Sequence, residues 1–102
     1  MATVVWTSAA GQDLEEIFLY IGREQHNPAA AARVVRDIAD KASTYADQPL
    51  LAEPRPEFGE PIRAYHAHRY VVFYLPVSEG IEVLRVIHGS RDVLKVFRQQ
   101  EP

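Results

Sequence analysis

The sequence of 102 residues contains no cysteine. This excludes disulfide bonds, thiolate metal sites and a cysteine nucleophile, and it fits a reducing compartment such as the cytoplasm. No apolar run is long enough to cross a membrane. The N-terminus also lacks the basic stretch and apolar core of a secretory signal. The length is that of one domain, and we expect residues 1–102 to form it.

An excess of positive charge is also lacking, since the formal net charge is −3. General nucleic-acid binding is therefore disfavoured, because phosphate contacts need Lys and Arg. The charge is unevenly distributed along the chain. Residues 1–60 carry five Lys or Arg and ten Asp or Glu, whereas residues 61–98 carry six and three. The second half can therefore form a local basic patch.

The first half of the chain predicts one strand and two helices. Residues 3–7 are β-branched and aromatic, as strands are. Apolar residues at helical spacing then predict a helix to about residue 25, capped by Thr7 or Ser8, with Asp13 near its positive end. Asn27-Pro28 predicts a second helix, running to about residue 46. The short connection predicts an antiparallel helical hairpin.

The second half predicts a sheet. Residues 47–61 contain four prolines and a glycine, which predicts an irregular loop. Strands are then expected over residues 62–66, 69–75 and 81–88, and their short connections predict an antiparallel meander. We expect Gly89 to adopt a positive φ and Ser90 to cap a short last helix. The predicted fold class is α+β, with the helical hairpin on one face of a small, mainly antiparallel sheet.

The two faces of this sheet differ in the prediction. Alternation along the last strand places Val83, Arg85 and Ile87 on one face and Val86 and His88 on the other. The helical hairpin covers one face only. The other face carries aromatic and aliphatic side chains, so we expect it to be open and to bind a partner.

An ordered set of short motifs resembles the RelE/ParE superfamily of bacterial type II toxins. The motifs are Trp6-Thr-Ser-Ala-Ala10, Asp13-Leu-Glu-Glu-Ile17, Tyr20-Ile21, Asn27-Pro28-Ala29, Ile62-Arg63, Tyr70-Val-Val-Phe-Tyr74 and Arg85-Val-Ile-His-Gly-Ser-Arg-Asp92. The last of these is most similar to the ParE branch, the plasmid-stabilisation toxins. The resemblance covers nearly the whole chain.

The resemblance implies a partner and a target. Such a toxin is neutralised by a cognate antitoxin protein, which commonly represses the shared operon, so operator DNA is reached only through the antitoxin. ParE-type members inhibit DNA gyrase, whereas RelE-type members cleave mRNA on the ribosome. A third interpretation is a non-toxic relic that still binds an antitoxin. No cofactor, metal or membrane partner is implied, and a homodimer is compatible with the sequence.

An endoribonuclease would need a proton donor, a proton acceptor and cations for the phosphate. Arg63, Arg85 and His88 have suitable chemistry for those roles. The alternation of the last strand argues against this interpretation, because Arg85 and His88 point to opposite faces. The competing interpretation of His88 is a residue that closes the strand and forms local hydrogen bonds.

A gyrase inhibitor needs a binding surface rather than catalysis. The candidates for contacting the target are the basic residues of the second half, which can supply charge complementarity: Arg63, Arg69, Arg85, Arg91, Lys95 and Arg98. The antitoxin is expected to bind by strand addition or as a helix in a groove. His66 and His68 lack the further ligands that a zinc site needs.

Overall fold

Five strands and three helices form the described part of the chain, residues 2–98, in the computed structural model. They are β1 (Thr3–Trp6), α1 (Ser8–Leu19), which continues into a π-helical turn (Tyr20–Glu24), α2 (Pro28–Asp47), β2 (Glu53–Pro54), a 3-10 turn (Pro56–Phe58), β3 (Arg63–Ala67), β4 (Tyr70–Val77), β5 (Gly80–His88) and α3 (Val93–Arg98). The sheet order is β1-β5-β4-β3-β2. Only β1 is parallel to its neighbour. The predicted α+β class is confirmed.

Both predicted helix starts are confirmed by their caps. The Thr7 hydroxyl oxygen accepts a hydrogen bond from the Ala10 N–H at 3.1 Å, and the Asn27 side-chain oxygen accepts one from the Ala30 N–H at 3.1 Å. These bonds satisfy N–H groups that have no partner within the helix. The first helix differs from the prediction only at its end, where the last turn widens to π geometry.

The main core lies between the helical hairpin and one face of the sheet. Ile38 from α2 packs there with Val72, Ile81 and Val83, and all four are fully buried. Tyr65 is buried with them and donates its hydroxyl proton to the Ile38 carbonyl oxygen at 2.9 Å. Burial raises the pKa of Tyr65 above that of a free phenol, so it remains a neutral donor.

The second face of the sheet is not open, and that prediction is wrong for most of its area. Phe73 and Ile87 are 0% and 2% exposed, because α3 and the 3-10 turn cover them. Phe97 of α3 packs with its ring centroid 5.3 Å from those of Phe58 and Phe73. The existence of this helix is confirmed, but its docking against the sheet could not be inferred from its six residues.

The predicted alternation along the last strand is also wrong beyond Val83. The pairing of β4 with β5 shifts register, so that Tyr74 pairs with Val83 while Phe73 pairs with Arg85. The residue between them has no opposite partner, and such an insertion reverses the faces that follow it. Val83 and Val86 therefore share the face of the helical hairpin.

The predicted irregular loop contains regular structure. Glu53 and Pro54 form the edge strand β2, paired with β3. Proline is tolerated in an edge strand because its missing backbone N–H would face the outer side, where there is no neighbouring strand to accept it. The Arg63 guanidinium holds the preceding loop by donating to the carbonyl oxygens of Leu50 and Ala52 at 3.1 and 2.7 Å.

The connection from β5 to α3 differs in two details from the prediction. Asp92, not Ser90, caps α3, since its carboxylate accepts a hydrogen bond from the Lys95 N–H at 3.1 Å. Gly89 is not among the residues with positive φ. Its N–H donates to the Arg69 carbonyl oxygen at 2.8 Å, and this extends the pairing with β4 by one residue.

Candidate partner-binding site

An open groove of about 830 Å³ lies between the first helix and the end of β5. It exists because β1 is short: its pairing with β5 ends at Trp6 and Val83, where the chain turns into α1. Beyond that point α1 occupies the place of a neighbouring strand. We call this space the α1–β5 groove, and its lining includes Tyr20 of the π-helical turn and Arg91 after the strand.

Side chains from α1 and its N-cap residue make the hydrogen bonds that a neighbouring strand would make with β5. The Asp13 carboxylate accepts from the Val86 N–H at 2.9 Å, and the Thr7 hydroxyl donates to the Leu84 carbonyl oxygen at 2.9 Å. Buried backbone groups need such partners. This edge of β5 is therefore already occupied, which favours a helix over an added strand as the occupant of the groove.

Arg85 is bound within the protein. Its guanidinium donates to both oxygens of Asp13, from Nε at 2.7 Å and from Nη2 at 3.0 Å, and its Nη1 lies 3.5 Å from the Val96 carbonyl oxygen of α3. The two side chains are only 13% and 10% exposed. This bidentate pair links α1, β5 and α3 and leaves Arg85 little surface for a partner.

The role of Asp13 as the buried partner of Arg85 is not apparent from the sequence. The sequence suggests a position near the positive end of the helix, but Asp13 lies in the second turn, outside the range of a cap. The available signal is its spacing. Asp13 precedes Ile17 by four residues and therefore shares the buried face of the helix. A carboxylate on that face requires a buried partner.

The groove has an apolar floor and charged rims. Ile17, Ile21 and Tyr70 contribute to the floor, and burial raises the pKa of the Tyr70 phenol. Glu16 on α1 lines one side, while Arg69 and Arg91 line the other. An amphipathic segment with acidic residues along one flank would match this pattern.

The three residues considered for ribonuclease chemistry are not all brought together. Arg85 and His88 both line the groove, but Arg63 does not, and its guanidinium binds the loop before β2. His88 accepts from the Ser90 N–H at 3.1 Å through Nδ1 and lies 2.7 Å from the Ser90 hydroxyl. Its ring also packs edge-on against Tyr70. These contacts confirm the local hydrogen bonding predicted for His88.

Four of the six basic candidates are exposed, in the β3–β4 turn, in the segment after β5 and on α3: Arg69, Arg91, Lys95 and Arg98. The hydrogen bond between Gly89 and Arg69 places the β3–β4 turn beside the segment that leads to α3. Lys95 and Arg98 follow one turn apart on that helix. We call these four residues the basic end.

The two neighbouring histidines lie in different elements, His66 in β3 and His68 in the turn that follows it. His68 has a positive φ of 54° and lies 2.7 Å from the Asp37 carboxylate of α2. Within residues 2–98, no cluster of three or more His, Cys, Asp or Glu side chains is arranged to hold a metal ion. In the same part of the chain, no helix combines the length and apolarity needed to span a bilayer.

The family is decided by a match that runs from β1 to the start of α3. The family described as "ParE toxin of type II toxin-antitoxin system, parDE" matches residues 4–93. The chain belongs to the ParE toxin family. It is therefore a toxin of a type II toxin-antitoxin system, and the match includes the first helix, β5 and the turn that precedes α3.

A solved structure shares the same fold. The chain is similar to one described as "Chromosomal ParDE TA system from P. aeruginosa", with a TM-score of 0.69 and 21% sequence identity. The similarity covers 86% of this chain and 96% of the other. No curated protein matches the sequence.

Proposed function

We propose that this toxin inhibits DNA gyrase by binding it and that it does not cleave RNA. One observation carries the choice between the two: the arginines that catalysis would need are engaged inside the protein, while the basic end is exposed. A binding inhibitor requires only differential affinity for one state of its target. Membership of the ParE family supports the same choice.

We further propose that a cognate antitoxin neutralises the protein by laying an amphipathic helix in the α1–β5 groove. The apolar floor, the opposed charges of Glu16 and Arg91, and the occupied edge of β5 support this mode. The structural relative is itself a ParDE toxin-antitoxin system. Any contact with operator DNA would pass through the antitoxin.

The gyrase proposal predicts that neutral substitutions at the basic end weaken inhibition. We expect Arg91→Ala combined with Lys95→Ala to raise the concentration for half-inhibition of supercoiling about tenfold, because each exposed charge contributes roughly 0.5–1 kcal/mol. The loss should shrink as salt is added. The measurement is a supercoiling assay with purified gyrase at two ionic strengths.

A matched control is Arg33→Ala combined with Arg36→Ala, which removes the same charge from exposed positions on α2. The control should inhibit like the unmodified protein. Equal losses in both double variants would show that only net charge matters and would contradict the assignment to the basic end. If the protein leaves gyrase unaffected and cleaves mRNA in a translation extract, and His88→Ala abolishes that cleavage, the ribonuclease interpretation replaces ours.

The groove proposal predicts that Tyr20 contributes strongly to antitoxin binding. Tyr20 is 54% exposed and lines the groove, so its removal should not disturb the core. A buried interface tyrosine typically contributes about 2 kcal/mol or more. We expect Tyr20→Ala to weaken antitoxin binding about 30-fold, measured by titration calorimetry.

The control for Tyr20 is Phe18, which lies on the same helix, is 43% exposed and does not line the groove. Phe18→Ala should leave the affinity for the antitoxin nearly unchanged. If Phe18→Ala weakens binding and Tyr20→Ala does not, the antitoxin covers the outer face of the helix and not the groove.

A further inference from the structure

The outer edge of β1 is the least protected edge of the sheet. At the opposite end, β2 is only two residues long and includes Pro54, which blunts that edge. The free part of β5 is occupied by Asp13 and Thr7. Within residues 2–98, β1 is the terminal strand and nothing pairs with its outer side. An unprotected edge is a template for another strand.

Two residues of β1 direct both their backbone N–H and their backbone C=O groups out from this edge. Thr3 and Thr7 donate their N–H groups toward β5, to Glu79 and Val83 at 2.8 and 3.1 Å. Strand residues alternate in direction, so Val4 and Trp6 point their N–H and C=O groups away from the sheet. Their side chains are anchored in the core beneath the helices, which fixes the edge in position.

This pattern is complementary to itself. An antiparallel second copy of β1 would place Val4 opposite Trp6 and Trp6 opposite Val4, each as a hydrogen-bonded pair. The twofold axis would pass beside Val5, whose side chain points to the other face and is 47% exposed. Residues 2–10 carry no charged side chain. Two copies of this segment therefore meet without repulsion between like charges.

We propose that two copies of this chain associate through β1, forming one continuous sheet centred on Val5. The occupant of the edge is a second copy because the register, the twofold symmetry and the absence of charge fit β1 to itself. Pairing along four residues buries much less than the roughly 1,200 Å² of stable complexes. The dimer is therefore weak and depends on protein concentration.

Because the chain contains no cysteine, a single introduced cysteine can test the dimer by disulfide formation. Across the twofold axis the two Val5 residues form a pair without hydrogen bonds, with Cα atoms about 4.5 Å apart. That separation lies within the range of about 4.4–6.8 Å spanned by disulfides. In the purified full-length protein, Val5→Cys should form a disulfide-linked dimer at least about tenfold faster than a variant whose exposed cysteines meet only by random collision.

The matched control is Val77→Cys. Val77 is the last residue of β4, which β5 separates from β1, and it is 41% exposed. Similar rates for the two variants would overturn the proposal. So would a protein that remains monomeric alone but shows protected β1 amides when bound to its antitoxin, because the edge would then belong to a partner strand.

A second measurement tests the dimer without an introduced disulfide. In sedimentation experiments over a range of concentrations, the unmodified chain should shift toward a dimer as its concentration rises. Val5→Lys should abolish the shift, because it places like charges opposite each other across the axis. Val77→Lys should preserve it. A dimer that survives Val5→Lys would contradict pairing centred on this residue.

Discussion

Asp13→Ala should lower the free energy of unfolding by about 3 kcal/mol or more, because it leaves the Arg85 guanidinium buried without its counter-ion. The same change removes the acceptor of the Val86 N–H. For a chain of this size the melting temperature should fall by more than about 12 °C. Thermal and urea unfolding, followed by circular dichroism, would measure both quantities.

Two further variants separate the pair from a general effect on the helix. Asp13→Asn retains an acceptor for Val86 and should cost less than Asp13→Ala. Asp13→Ala combined with Arg85→Met removes both charges and should recover about 1–2 kcal/mol of the loss. If Asp13→Ala costs less than about 1 kcal/mol, the ion pair does not hold β5 against the first helix.

Gly80→Ala should also destabilise the protein by more than about 3 kcal/mol. Gly80 has a φ of +154°, which side-chain-bearing residues rarely adopt, and a Cβ at this position would lie 2.0 Å from the Thr3 carbonyl oxygen. Because that oxygen belongs to the backbone, no side-chain rotation can relieve the clash. We expect β1 to separate from β5, which hydrogen exchange at the β1 amides would detect.

A glycine-to-alanine substitution at another position should raise the free energy of unfolding, and it serves as the control. Gly11 lies within α1, and a Cβ added to it would point into open space. Gly11→Ala should stabilise the protein by about 0.5–1 kcal/mol, since alanine favours helix. A loss at Gly80 no larger than the change at Gly11 would show that β1 tolerates displacement.

Much of the architecture could be predicted because its signals are local. Helix caps at Thr7 and Asn27, apolar spacing and short connections specify the hairpin and the meander. The central position of β4 follows from its being apolar on both faces, and the structure confirms it. These elements depend on neighbours within a few residues.

The features that were missed depend on distant residues. The register shift after Val83 depends on how β4 and β5 pair, and neither strand's sequence shows it alone. Asp13 and Arg85 are 72 residues apart, and one sequence contains no sign that they touch. The cover over the second sheet face depends on where α3 docks. The sequence identifies candidate site residues by their chemical type. It does not show which of them are bound within the protein, as Arg85 is, and which are exposed.

The parallel pairing of β1 with β5 has a consequence for synthesis. The Thr7 hydroxyl binds the carbonyl oxygen of a residue 77 positions further along the chain. At about 5–20 residues per second, a ribosome needs about 4–15 s to supply that stretch. β1 therefore cannot pair with β5 until that interval has passed. During this time its uncharged, β-branched segment is exposed on the nascent chain without a strand partner.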